Sequence, residues 1–193
     1  NLIKENLIHG IEVANELTFS EEAFEIALEN NLTILGTSDI HGISDWLFEI
    51  PEGGHRPLTY ILSNDLKQNS IKKALFMGNT FVWFEDLIAG KEEILSSIIA
   101  SNFKVESKGY TGETALLEIS LTNLSSLPLK LKYIGDYTFH QYSDFLEVPA
   151  KNTIIVQVKT VKRIESFMMK FEILNAIIGR KKNLHVTYNL NIQ

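Results

Sequence analysis

The sequence predicts two kinds of fold in one chain: an α/β segment over residues 1–100 and an all-β domain over residues 101–193. Apolar residues in the first segment form short strand-like runs separated by stripes at helical spacing, whereas strict alternation prevails from residue 102 onward. Acidic side chains outnumber basic ones before residue 99, and the reverse holds after it, within a net charge of −6. The two changes coincide and indicate a domain boundary.

The composition excludes several classes of protein and site. The 193 residues are 45% hydrophobic and 22% charged, which is too apolar for intrinsic disorder and sufficient for buried cores. Because the chain has no cysteine, a metal ion would need His, Asp or Glu ligands, and disulfide scaffolds and thiolate chemistry are excluded. No apolar run approaches the ~20 residues of a membrane-spanning helix. The acidity of the first segment argues against a nucleic-acid surface.

The first segment opens with a predicted strand, helix and strand. The first strand is expected at Ile8–Val13 and the second at Leu32–Gly36, both short and apolar. Between them, Phe24–Leu28 carries an apolar stripe at helical spacing, and Thr18 with Glu21 fits a capping box at the helix start. Short connections of this kind favour a parallel pair of strands covered by a helix, with chemistry at the carboxyl ends of the strands.

The rest of the first segment adds two predicted strands and two predicted helices. The strands are expected at Leu58–Leu62 and Thr80–Phe84, the second of which is rich in β-branched and aromatic residues. One helix is expected to be capped by Ser70 and to end at Gly78. The last helix carries its apolar face over Ile94–Ile99.

The second segment alternates apolar and polar residues, as strands with one buried face do. Turn residues separate the runs, which include Leu117–Leu121, Leu129–Tyr133, Ile154–Val158, Met169–Ile173 and Leu184–Ile192. Roughly six to eight short strands at this spacing predict an antiparallel β-sandwich of immunoglobulin-like type.

Basic residues in the second segment allow two interpretations. Lys130 and Lys132 alternate along one predicted strand, and Arg180–Lys182 form a cluster. They could be solvated strand faces and turns, or a patch that binds phosphate or a membrane surface. The absence of interleaved aromatic residues and of an amphipathic helix favours the first interpretation.

A candidate metal site follows the second predicted strand. Asp39 and His41 stand two residues apart in the sequence Thr-Ser-Asp-Ile-His-Gly, and a carboxylate and an imidazole are ligands for zinc, manganese or iron. The alternative is a surface loop in which Asp39 caps a turn and His41 is solvated. The position after a buried strand keeps both interpretations open.

These residues resemble the last segment of the PHP family, the polymerase-and-histidinol-phosphatase metal phosphoesterases. The resemblance covers Ile11–Glu16, the following helix and Gly36–His41, where the family's final Ser-Asp-x-His motif is Ser38, Asp39 and His41. It implies a distorted seven-stranded β/α barrel in which Asp39 and His41 bind divalent metal ions (zinc, manganese or iron), two or three in the complete site. It also implies a catalytic role for Asp39.

The resemblance extends loosely to two-domain members that carry a C-terminal β-sandwich, through His55–Thr59 and Gly90–Glu93. One departure is that the family's opening His-x-His motif does not occur in this sequence, which also begins without Met. Two ligands do not hold a catalytic metal cluster. The resemblance therefore implies the C-terminal part of a PHP barrel, with the N-terminal half as its partner.

Arg56 and His55 are candidates for binding a substrate. The planar guanidinium of Arg56 could donate two hydrogen bonds to a phosphate, or it could instead form an ion pair with Glu49 or Glu52. His55 lies beside it in a polar, turn-rich loop.

Glu12 and Ser38 are candidates for contacts with the metal ligands. Glu12, near the end of the first strand, could accept a hydrogen bond from a ligand or serve as an ion-pair partner, and Ser38 could orient His41 or only turn the backbone. Trp46, Trp83 and Phe84 are expected in a core or domain interface rather than as a platform for substrate.

Two classes of function remain open from the sequence. The first is a metal-dependent phosphoesterase, of which this chain is the C-terminal portion, hydrolysing a small-molecule phosphomonoester or phosphodiester with a metal-activated water. The second is a non-catalytic binding or assembly module with a degenerate PHP remnant. Neither a nucleic-acid nor a membrane partner is predicted, and the sequence leaves the compartment open.

Overall fold

The computed structural model describes residues 2–192 and divides them into two compact units. The first unit runs to Leu95 and adds Ala176–Lys182, and the second comprises Ser96–Asn175 and the residues from Asn183 onward. The segment Ala176–Lys182 lies within the range predicted for the second domain, yet it belongs to the first unit. The first unit is therefore built from two separate stretches of chain.

A parallel pair of strands with a helix between them opens the first unit, as the sequence predicts. β1 (Gly10–Asn15) pairs antiparallel with a short strand, β2 (Thr18–Phe19). The chain then forms α1 (Glu21–Glu29) and returns as β3 (Thr33–Thr37), which pairs with β1 in parallel. Both strands consequently end on the same side of this small sheet.

The remaining elements of the first unit form an antiparallel sheet and its connecting helices. In chain order they are α2 (Ser44–Leu47), a 3₁₀ turn (Ile50–Glu52), β4 (Leu58–Ile61), α3 (Gln68–Phe76), β5 (Thr80–Phe84), β6 (Leu87–Gly90) and the start of α4 (Glu92–Asn102), whose residues from Ser96 belong to the second unit. β4 pairs with β5 and β5 with β6, each antiparallel. Two of these elements, α2 and β6, are absent from the sequence-based prediction.

Close packing of β3 on β5 joins the two sheets of the first unit. The buried core contains Phe24 and Ile34, both fully excluded from solvent, together with Val82. Gly36 permits this approach, because a Cβ atom there would lie 2.7 Å from Cγ1 of Val82, closer than carbon atoms pack. The carboxyl end of β3 thus packs against the antiparallel pair of β4 and β5.

The second unit consists of two sheets of strands. Its strands are β7 (Phe103–Tyr110), β8 (Leu116–Asn123), β9 (Leu129–Tyr133), β10 (Thr138–Phe139), β11 (Phe145–Val148), β12 (Asn152–Lys159), β13 (Ser166–Gly179) and β14 (Lys182–Asn191). One sheet has the order β10-β12-β8-β7, and the other contains β11-β9-β13 with β14 beside β13. The last residues of β13 and the first residue of β14 belong to the first unit, where Ala176 pairs in parallel with Ile88 of β6.

Apolar side chains from the two sheets pack face to face, which confirms the predicted β-sandwich. The rings of Phe103 and Phe171 meet edge to face at 5.9 Å, and those of Tyr133 and Phe139 at 4.8 Å. Burial alternates along the strands, since Leu129, Leu131 and Tyr133 are buried while the residues between them are not.

Among residues 2–192, none of the helices combines the length and the apolar character needed to cross a membrane.

Candidate metal site

The predicted site lies at the carboxyl end of β3, beside the end of β1. Thr37 is the last residue of β3, and the loop Ser38–Gly42 follows it. Asp39 has a φ of +42°, in the left-handed region that Asp and Asn adopt more readily than most residues. This backbone turn lets Asp39 and His41 present their side chains together.

Asp39 and His41 form a close, exposed pair. His41 Nε2 lies 3.4 Å from Asp39 Oδ1, and the side chains are 86% and 55% exposed, respectively. Ligands bound about 2.1 Å from a tetrahedral zinc ion lie about 3.4 Å apart, so the two atoms fit neighbouring positions on one such ion. Within the described residues 2–192 there is no group of three or more His, Asp or Glu side chains that could hold a metal. Binding of a metal ion by Asp39 and His41 therefore stays a prediction.

Glu12 ties the ends of the two parallel strands together. Its Oε2 accepts a hydrogen bond of 2.9 Å from Asn15 Nδ2, and its Oε1 accepts a short one from the hydroxyl of Thr37. Both partners of the carboxylate are neutral side chains and neither is Asp39 or His41, so the predicted contact of Glu12 with a metal ligand stays a prediction. No local sequence pattern singles out Thr37, because its contact with Glu12 depends on the register in which Asn15 pairs with Thr37.

Ser38 makes no hydrogen bond to Asp39 or His41 in the described part of the chain. It is half-buried at the first position after β3. Its position agrees with the backbone-turning alternative.

His55 is held by its own part of the chain. Its Nδ1 lies 2.8 Å from the carbonyl oxygen of Arg56, and its Nε2 lies 2.8 Å from that of Glu85. The ring packs 4.4 Å from that of Trp83. Both ring nitrogens are thus occupied by backbone oxygens, so binding a substrate through them would require these contacts to break.

Arg56 is exposed and, within residues 2–192, forms no ion pair with Glu49 or Glu52. The same range contains no hydrogen bond or ion pair that joins Arg56 or His55 to Asp39 or His41. The predicted binding of substrate by Arg56 and His55 therefore stays a prediction.

The aromatic candidates divide into three environments. Phe84 lies in the buried core, as expected, and Trp83 is half-buried, with Nε1 donating to the carbonyl oxygen of Glu85 at 2.6 Å. Trp46, in contrast, is 79% exposed on α2 and does not belong to a core.

The basic cluster at Arg180–Lys182 is largely neutralised within the first unit. Arg180 lies 3.7 Å from a carboxylate oxygen of Glu21 and 3.6 Å from one of Glu25, both on α1. Lys182 donates to Glu92 at 3.0 Å. These contacts favour a role in ion pairing over a patch for phosphate or membrane, although such exposed pairs each contribute only about 0–1 kcal/mol.

Comparison with known proteins gives one match to a family model and one to a solved structure. The model of the Ig-like domain family DUF5001 matches residues 103–189, a range that lies in the second unit except for Ala176–Lys182. The chain is also similar to a two-domain protein from Bacteroides vulgatus ATCC 8482 that contains a predicted PHP-like metal-dependent phosphoesterase. That crystal structure superposes with a TM-score of 0.88 at 29% sequence identity, covering 98% of this chain and 55% of the other.

The chain thus spans little more than half the length of the solved protein that it matches. No curated protein matches it. The immunoglobulin-like character of the second unit is confirmed, and the likeness to the bacterial protein extends over both units.

Proposed function

We propose that this chain is the C-terminal portion of a metal-dependent phosphoesterase, to which it contributes Asp39 and His41 as ligands of a divalent metal ion. The observation that carries the proposal is their 3.4 Å spacing at the carboxyl end of a strand in a parallel pair. The likeness to a protein that contains a predicted PHP-like metal-dependent phosphoesterase supports it. The remaining ligands come from parts of the whole protein other than residues 2–192.

The residues of this chain would perform distinct tasks in that site. Divalent ions such as zinc, manganese or iron lower the pKa of a bound water and stabilise the oxygens of a phosphoryl group. Asp39 would neutralise part of the charge of such an ion and would accept a proton from the attacking water, while His41 would bind the ion through one ring nitrogen. Glu12 holds Thr37 and so fixes the strand end from which both ligands extend. Arg56 donates to a phosphate oxygen of a small phosphomonoester or phosphodiester substrate.

Metal content and hydrolysis, measured together in the whole protein, test this assignment. We expect Asp39→Asn and His41→Gln each to lower the content of zinc, manganese or iron and to reduce hydrolysis of bis(4-nitrophenyl) phosphate by at least about a hundredfold. His185→Gln is the matched control, because His185 is an exposed histidine on β14 in the second unit.

Full metal content and full hydrolysis in Asp39→Asn would show that Asp39 is not a ligand. A wild-type protein that retains no metal and hydrolyses neither bis(4-nitrophenyl) phosphate nor 4-nitrophenyl phosphate would instead favour the non-catalytic binding module.

A further inference from the structure

Among residues 2–192, side chains and not a strand bind the outer edge of β3. Along its inner edge, Thr33 N donates to the carbonyl oxygen of His9, and the carbonyl oxygen of Thr37 accepts from Glu16 N. Alternate residues of a strand direct their peptide groups to opposite edges, so the peptide groups of Ile34 and Gly36 point away from β1. In the absence of a neighbouring strand, those groups need other partners.

Two threonine hydroxyls supply these partners. Thr59 Oγ1 accepts from Gly36 N at 2.8 Å and donates to the Gly36 carbonyl oxygen at 2.8 Å. Thr80 Oγ1 does the same at Ile34, with distances of 3.2 Å from the nitrogen and 2.8 Å to the oxygen. A hydroxyl has one hydrogen to donate and lone pairs to accept, so each threonine can make both bonds at once. We call this pair of bonds from Thr59 the Thr59 clamp.

The antiparallel pairing of β4 with β5 places both hydroxyls on one face. Thr59 pairs with Val82, and Ile61 pairs with Thr80, so these four residues share a side of the strand pair. Val82 on the same face contacts Gly36, where a Cβ atom would leave no room. The small residue and the hydroxyl together allow β3 to approach closely without leaving its peptide groups unpaired.

We propose that Thr59 is a positioning residue for Asp39 and His41, an inference that rests on the proposed function. Gly36 is the second-to-last residue of β3. Because it has no side chain, its backbone needs a hydrogen bond from another part of the chain to fix its conformation. The Thr59 clamp fixes that peptide three residues before Asp39. On the inner edge, Glu12 binds the hydroxyl of Thr37. The end of β3 is therefore held by hydrogen bonds along both of its edges, immediately before the loop Ser38–Gly42 that carries Asp39 and His41.

Thr80 offers a matched control within the same structure. It makes the same two bonds as Thr59, but at Ile34, the second residue of β3, which is two residues farther from the loop Ser38–Gly42. It is also fully buried, whereas Thr59 is half-buried. Loss of the Thr80 hydroxyl should therefore cost stability at least as strongly while affecting the ligand loop less.

The test compares Thr59→Val, Thr59→Ser, Thr80→Val and Thr80→Ser in the whole protein. Three quantities are measured: hydrogen exchange of the amides of residues 36–42, affinity for Zn²⁺ alone, and the thermal midpoint. We expect Thr59→Val to accelerate exchange at Gly36 and through the loop, and to weaken Zn²⁺ binding about tenfold, as loss of a hydrogen bond that orients ligands does. Thr59→Ser keeps the hydroxyl and should restore both. Thr80→Val should lower the thermal midpoint yet change Zn²⁺ affinity by less than about twofold.

Three results would overturn the proposal: unchanged exchange in Thr59→Val, no restoration by Thr59→Ser, or an equal loss of Zn²⁺ affinity in the Thr80 variants. Should Thr80→Val not fold, Thr80→Ser provides the comparison. If the wild-type protein binds none of Zn²⁺, Mn²⁺ and Fe²⁺, the proposed function fails by itself. The exchange of residues 38–42 in Thr59→Val then decides whether Thr59 orders the loop.

Discussion

Asp39 and His41 are exposed, whereas the residues that precede them are held by hydrogen bonds. Within residues 2–192, the contact that these two side chains make is with each other, between His41 Nε2 and Asp39 Oδ1. Gly36 and Thr37, by contrast, are bonded to Thr59 and Glu12. Asp39 and His41 are thus accessible to a metal ion, while the end of β3 from which they extend is held in place.

The sequence could predict the exposed pair but not the residues that hold it. Asp39 and His41 stand out because their spacing is a local pattern. The contact of Glu12 with Thr37, and that of Thr59 with Gly36, joins residues more than twenty positions apart in the chain. Such contacts depend on strand register and on which sheet packs against which, and a single sequence reveals neither directly.

Tyr188 gives the second unit a dependence on alkaline pH. Its hydroxyl donates to the carbonyl oxygen of Phe103 at 3.1 Å, and burial raises its pKa to about 12. Because this folded pKa lies above the ordinary value of about 10, the stabilisation is complete below about pH 10 and is lost as the pH rises through 12. We expect Tyr188→Phe to cost about 1 kcal/mol at pH 8 and to lose less stability than the wild type between pH 8 and 12.

Chemical denaturation of the second unit at pH 8, 10 and 12 measures this effect. Tyr142→Phe is the control, since Tyr142 is exposed. Equal losses between pH 8 and 12 in the wild type and Tyr188→Phe would contradict the assignment.

Helix α1 is predicted correctly from the sequence, but the residue that caps its start is not. The sequence predicts a capping box at Thr18 with Glu21, but Thr18 belongs to β2 and pairs with Asn15. Ser20 is the residue before the helix, and its Oγ accepts from Ala23 N at 3.1 Å. A two-residue strand is too short to leave a periodic signal, which is why the pattern at Thr18 was misleading.

Replacement of the cap should weaken α1. We expect Ser20→Ala to lower the free energy of unfolding of the first unit by about 1 kcal/mol, because one backbone N–H of the first turn loses its partner. Thr18→Ala is the matched variant and should cost less, since its side chain caps nothing in α1. Urea denaturation of the two variants makes the comparison, and a larger loss in Thr18→Ala would refute the cap at Ser20.

Long or strongly periodic elements are predicted better than short ones. The parallel strands, α1, α3 and the alternating strands of the second unit were expected from the sequence and are present, with ends displaced by a few residues. The four-residue elements α2 and β6 were missed, because so few residues do not establish a period. β13 extends for 14 residues, well beyond the predicted Met169–Ile173, since its later residues pair with β6.

At the scale of the molecule, the change in periodicity along the chain marks the units only approximately. A predicted boundary near residue 100 does not indicate that Ala176–Lys182 belongs to the first unit. This segment begins within β13, so its sequence looks like a continuation of that strand. Within the first unit this segment pairs with β6 through Ala176 and Ile177. It also carries Arg180 and Lys182, which form ion pairs with α1 and with Glu92.

A chain cut after residue 100 should therefore have an incomplete first unit. We expect the amides of Ile88 and Ala89 to exchange faster in residues 1–100 alone than in the whole chain, because their strand loses its neighbour. The amides that form hydrogen bonds from β4 to β5 keep their partners in both forms and serve as the internal reference. Equal protection of Ile88 and Ala89 in both forms would show that the segment does not stabilise β6.

The return of Ala176–Lys182 also bears on how the protein is made. A ribosome that has released the chain as far as Leu95 has yet to synthesise the piece that completes the first unit, and Ser96–Asn175 of the second unit comes before it. In that interval the edge of β6 that Ala176 and Ile177 will occupy is without its final strand. Domains generally fold in order of synthesis, and unpaired strand edges are sites of aggregation. Here the first unit is completed only after Ser96–Asn175 of the second unit has been synthesised, so the edge of β6 stays exposed to chaperones and misassembly throughout that interval.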